Sequence, residues 1–289
     1  MLKIIYHFLQ FIKNPSDHKL RPLTKNTVSK IFFSLFLFNI AIMVLILPLL
    51  YFIDFLVPLI NHPDLLFESP VGVIIAIGIF APLIEEFIFR YFLSYKRFYD
   101  NFISRNNWRK RFRWIVYSST LIFGLIHLEN YMNDSWIFYS VALIIVLPQI
   151  IIGFILAYIR VRLGFRYSIF YHALWNLSIL TFGVTATYLM NPVIEYKKNN
   201  IELKVDCTPF RDRYIDKFDI DKQQDTIYNI DIKQFPLQVI VDSIYGKGVY
   251  HVNDQFLNIQ LKSEAGIHKD EFLKIMDEEF TIIDKVTLK

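Results

Sequence analysis

Residues 71–93 read VGVIIAIGIFAPLIEEFIFRYFL, and this stretch decides what kind of protein the chain is. An apolar run of this length is enough to cross a bilayer, for which about 20 helical residues suffice. Yet it carries Glu85, Glu86 and Arg90 within six positions. Charges in a span cost roughly 2.5–3.5 kcal/mol each on insertion scales, so the fold has to supply a partner network or a wet cavity. Helical spacing sorts the three. Glu86 and Arg90 stand four apart on one face, acid first, the favourable order for an ion pair. Glu85 lies about 100° around the helix, away from that pairing. One carboxylate is then structural and the other available for chemistry. Pro82 removes one intrahelical hydrogen bond just before them and loosens the helix there.

Outward from this segment, further apolar runs lie within 31–60, 114–128, 136–158 and 167–190. The first is interrupted by Pro48 and Pro58 and is too short for two crossings, so it counts once. With 71–93 this makes about five spans. His127 ends the third, Pro148 lies in the fourth, and His172 and Asn176 stand four apart in the fifth. Imidazole N–H and carboxamide NH₂ are donors without negative charge, suited to holding a developing oxyanion. His127 adds an imidazole that can take a proton or bind a metal.

Charge divides the chain. Up to Pro192 there are 17 Lys and Arg against 9 Asp and Glu, and beyond it 14 against 18. The basic residues of the first part sit in short segments beside apolar runs, the placement of cytoplasmic membrane loops and not of a nucleic-acid surface. The segments before 31, at 96–113 and at 160–166 are rich in Lys and Arg, while 61–69 and 129–135 contain none. This alternation puts the N-terminus in the cytoplasm and, with five spans, the C-terminal region outside. Residues 1–13 form an interfacial amphipathic helix within a basic segment, 1–30, and lack a signal-peptide cleavage site. A composition rich in Ile, Lys, Asn and Phe points to a bacterial cell (inner) membrane.

The membrane region spans 31–192, and 195–289 is polar and mixed in charge. IELKVDC (201–207), PLQVIVDSI (236–244) and FLNIQL (256–261) alternate as strands do, Tyr245–Gly248 makes a turn between strands, and 268–280 has helical spacing. The fold class is an all-α multi-spanning membrane protein with a small α+β extramembrane domain. Cys207 is the single cysteine, which excludes an intramolecular disulfide and reads as a packed side chain.

Three motifs now carry a resemblance. Glu85-Glu86-Phe-Ile-Phe-Arg90 is similar to the EExxxR motif of the CAAX-protease and bacteriocin-processing family (CPBP, or Abi). Phe123-Gly-Leu-Ile-His127 is similar to its FxxxH motif, and His172-Ala-Leu-Trp-Asn176 to its HxxxN motif. All three occur in the family's order, within 80–180. The resemblance implies an intramembrane endopeptidase in which Glu85 and His127 activate a water. His172 and Asn176 would stabilise the oxyanion, and Glu86 and Arg90 would hold the helices in register. Its substrate would be a peptide or membrane protein in the lipid bilayer. The family has been described as metalloproteases, and a divalent metal such as zinc would be bound by Glu85, His127 and His172. No H-E-x-x-H is present, and a Glu- and His-activated water needs no metal. The alternative is a catalytically inactive membrane scaffold or bacteriocin-immunity protein that binds a partner. A transporter would also place such residues in the membrane, but the chain has no inverted repeat.

Overall fold

The computed structural model describes residues 1–62, 69–133, 135–198 and 200–284. They form two compact units, Met1–Val57 with Ile74–Glu129 and Ile137–Ser178, and Pro58–Val73 with Asn130–Trp136 and Ile179–Lys289.

The first unit is helical. Helix α1 covers Leu2–Lys13, and α2 covers Lys25–Leu56, running through Pro48. The Thr24 hydroxyl accepts the Thr27 N–H at 3.2 Å and so satisfies one of the orphan donors that open α2. The decisive stretch forms one helical run in three parts: α3 (Pro70–Ile75), a π turn (Ala76–Phe80) and α4 (Ala81–Phe89). The widened turn has a cause in the sequence. Pro82 cannot donate to the Gly78 carbonyl and its ring crowds that carbonyl, so the backbone opens by one residue and Ala81 N–H reaches Ala76 instead. The helix stops at Phe89, although the apolar run continues to Leu93.

Helix α4 is inside out. Glu86 is 0% exposed, whereas Ile84 and Phe87 are 53% and 59% exposed. Water would drive the opposite arrangement, and a lipid surround favours this one. Among the described residues three helices are long and apolar enough to cross a membrane, Lys25–Leu56, Pro70–Phe89 and α9, Phe165–Met190. The other two expected spans take a different form. The third lies in α5, Arg105–Ile126, whose first half carries Arg105, Arg109, Lys110, Arg111 and Arg113. The fourth is broken into α6 (Trp136–Ser140), α7 (Ala142–Ile145) and α8 (Leu147–Arg162). The breaks fall at Val141 (φ −104°, ψ 7°) and Val146 (φ −92°, ψ 12°). Pro148 then stands in the first turn of α8, where a missing N–H is harmless.

Helices α5 and α8 pack closely. A Cβ at Gly153 would lie 3.0 Å from Thr120 Cγ2 and 3.2 Å from Phe123 Cδ1, so glycine sets their separation. The N-terminal segment is tied to the same end of the unit. Tyr117 donates to the Ile12 carbonyl at 2.8 Å, Arg109 pairs with Asp17 at 3.6 Å, and Leu20 N–H donates to Arg162 at 3.0 Å. The basic segments therefore gather on one face.

In the second unit, five antiparallel strands take the order β1-β2-β6-β4-β3. They are β1 (Ile194–Lys198), β2 (Ile201–Thr208), β3 (Lys217–Gln223), β4 (Thr226–Pro236) and β6 (Phe256–His268). Strand β2 alternates as its sequence does, burying Ile201, Leu203, Val205 and Cys207. Helices α10 (Leu237–Tyr245) and α11 (Lys269–Asp277) and a small pair, β5 (Tyr250–Val252) with β7 (Ile282–Asp284), complete the unit. One expectation is overturned: PLQVIVDSI is helix α10, not a strand. Its apolar residues satisfy both periods, and burial of Leu237, Ile240, Val241 and Ile244 against the sheet selects the helical one. The glycine turn at 246–248 accordingly joins a helix to β5.

Candidate functional site

Helices α4 and α9 bring the expected polar residues together. Arg90 Nη1 lies 3.4 Å from Glu86 Oε1, and both side chains are fully buried. Neither Arg90 Nη1 nor Nη2 has an acceptor in hydrogen-bond geometry. The guanidinium is held by charge and by the Phe123 ring, whose centroid lies 3.7 Å from Cζ. The other face of Glu86 meets α9. Ser168 Oγ donates to Oε2, and His172 Nδ1 lies 3.2 Å from Oε1. On its far side His172 Nε2 is 3.6 Å from Glu85 Oε2. The imidazole therefore stands between two carboxylates. Glu86 is closed off, while the Glu85 side chain is 28% exposed.

Asn176 donates to the Ile77 carbonyl at 3.1 Å. Two sequence features make this contact. The π turn disturbs the regular bonding around Ile77, and Gly78 lets α9 approach so closely that a Cβ there would be 2.7 Å from Leu177. His127 starts a 3₁₀ turn, and its Nδ1 lies 2.8 Å from the Phe123 carbonyl. The Phe123 ring touches His127 and His172 edge-on, with centroids at 4.9 and 6.0 Å. Among the described residues, neither His127 nor Asn176 makes a hydrogen bond or ion pair with Glu85 or His172. Nor do any three His, Cys, Asp or Glu side chains converge as a metal-holding group. Glu85 and His172 offer two donors and His127 stands apart, so the residues do not form a ready zinc site.

Sequence reasoning missed three groups. Ser168 stands four residues before His172, and that spacing along 168, 172 and 176 was the available signal. Ser119 donates to the Phe89 carbonyl at 2.5 Å. Arg160, which reads as a loop cation, is buried, and it donates to the Arg90 carbonyl at 2.9 Å and the Tyr91 carbonyl at 2.8 Å. A helix that ends among apolar side chains leaves carbonyls unsatisfied, and Arg160 with Ser119 supplies the donors. Cys207 offers no second chemistry. Burial, with the Asp206 charge beside it, pushes its thiol up to about 11, so at neutral pH it is not a nucleophile.

Residues 67–178 match the family model described as type II CAAX prenyl endopeptidase Rce1-like. The match encloses all three motifs. No curated protein and no solved structure gives a significant match to the chain. With three helices among the described residues able to cross a bilayer, the chain is an integral membrane protein whose segment 67–178 matches the Rce1-like protease family model, in keeping with the CPBP resemblance of its motifs.

Proposed function

We propose that the protein is an intramembrane endopeptidase that hydrolyses a peptide bond of a membrane-embedded peptide or protein. One observation carries the reading: His172 is flanked by Glu86 at 3.2 Å and Glu85 at 3.6 Å inside helices whose outer faces are apolar. In this scheme Glu85, the accessible carboxylate, takes a proton from water while the oxygen attacks the scissile carbonyl, and His127 helps to hold that water. His172 and Asn176 donate to the tetrahedral oxyanion. The proton held by Glu85 passes to the leaving amine, giving a carboxyl and an amine terminus. Glu86, Arg90 and Ser168 set the position of His172. The test is cleavage of membrane peptides by the purified full-length protein, with and without chelator. Specific cleavage that persists in chelator is expected. A well-folded protein that binds such peptides without cutting them would establish the scaffold reading.

The proposal includes five crossings, a cytoplasmic N-terminus, a catalytic region at 31–192 and an extracytoplasmic domain at 195–289 in a bacterial inner membrane. It is supported by the gathering of the basic segments on one face of the helical unit. Reporter fusions after Lys30, Ser135 and Lys289 are expected to read inside, outside and outside. A cytoplasmic signal from the last would overturn both the span count and the domain's location.

A further inference from the structure

A cavity of about 780 Å³ lies between α1, the segment that follows it, α2 and the end of α8. Lys3, His7, His18, Lys19, Lys30 and Arg162 line it, and no Asp or Glu does. Arg162 is committed to the wall. It donates to the Ser16 carbonyl at 3.3 Å and to the His18 carbonyl, and it stacks on Phe11 and Tyr158. The nearest acid in sequence, Asp17, pairs with Arg109. Among the described residues Lys3, Lys19 and Lys30 have no acidic partner within ion-pair distance. Three ammonium groups thus border one concavity without a counter-charge.

Ile4, Phe11, Leu20, Ile31 and Tyr158 give the cavity an apolar wall, beside the neutral polar Gln10, Asn14, Ser16 and Thr27. Helix α1 sets its depth. Phe8 and Phe11 are buried against α2 and α8, whereas Leu2, Tyr6 and Leu9 are 79%, 58% and 43% exposed. Those three lie at i, i+4 and i+7 and make a second apolar stripe on the outer side of the helix. A helix apolar on two sides, with Lys3 and His7 between them, sits at the boundary of headgroups and acyl chains. A ligand for this cavity needs a phosphate for the lysines and an apolar body for the wall beneath them.

We propose that the cavity binds the headgroup phosphate of an anionic membrane phospholipid. Inorganic phosphate shares the charge but not the apolar part, so it should bind far more weakly. The test is lipid retention by the full-length protein in neutral detergent, measured by native mass spectrometry with phosphatidylglycerol, phosphatidylcholine or inorganic phosphate as probe. Phosphatidylglycerol is expected to be retained preferentially. Lys3→Gln/Lys19→Gln/Lys30→Gln should weaken its binding about a hundredfold, from roughly fivefold per lysine near an anionic surface. Arg97→Gln/Lys110→Gln/Arg111→Gln removes as much charge outside the cavity and should change binding by less than about twofold. All three lysines are exposed, so the variants should fold, and each single substitution should show its own share of the loss. Equal losses in the two triple variants would mean diffuse surface attraction and would overturn the proposal. So would inorganic phosphate binding as tightly as the lipid, or phosphatidylcholine retained equally well.

Discussion

Glu85→Gln is expected to lower peptide cleavage by at least about a thousandfold, within the range that general acid–base groups contribute, while expression and Tm stay near wild type. The substitution keeps shape and hydrogen bonding but removes the proton acceptor. Its structural cost is small because Glu85 lies outside the closed Glu86–Arg90–Ser168 cluster, is partly exposed, and meets His172 at 3.6 Å. Removing one of two carboxylates that flank the ring also relieves like-charge repulsion. The measurement is a product assay on purified protein alongside thermal unfolding in detergent. Undiminished cleavage by a folded Glu85→Gln protein would make Glu85 structural and end this catalytic assignment.

Glu86→Gln should do the reverse, with stability as its main casualty. Neither terminal nitrogen of Arg90 has a hydrogen-bond acceptor, and the guanidinium rests chiefly on the Glu86 charge and the Phe123 face. Neutralising Glu86 leaves a buried guanidinium without compensation, at a cost of about 3–5 kcal/mol. For a helical unit of this size that corresponds to a fall in Tm of roughly 10 °C. Glu86→Gln/Arg90→Met removes both charges and should recover much of the loss, since replacing a buried pair by apolar side chains is often neutral. Cleavage should not return with it, because His172 loses its anchor at 3.2 Å. A single Glu86→Gln variant that melts with wild type would show that the buried pair contributes little to the stability of the helical unit.

The polar cluster was legible because charges in an apolar run stand out, and spacing by four groups them on a helix face. The i,i+4 contact of Glu86 with Arg90 is the spacing made visible. The π turn was only half legible: Pro82 announced a weakened helix, but not that the relief would take the form of a widened turn, or that Gly78 within it would let α9 pass so closely. Arg160 was hidden by its position, since an arginine near a span end reads as a flank until the ending of α4 reveals the carbonyls it serves. In the second unit PLQVIVDSI carries two periods at once, and only the sheet beneath decides between them. The breaks at Val141 and Val146 have no signal of their own beyond Pro148.

The termination of α4 has a mechanical consequence. Its last carbonyls are bonded to Arg160 of α8 and Ser119 of α5, and α5 lies on α8 with only Gly153 between them. Separating these three helices would strip backbone acceptors of their donors inside lipid, where water cannot replace them. Helix α9 is fastened differently. Ser168, His172 and Asn176 reach across by side chains, and Tyr171 and Trp175 meet Phe32 and Phe36 of α2 through ring edges. Glu85 therefore stands on a block fixed at its end by α5 and α8, and His172 on a helix joined to that block largely through the site's own side chains, so a shift of α9 is a shift of the chemistry.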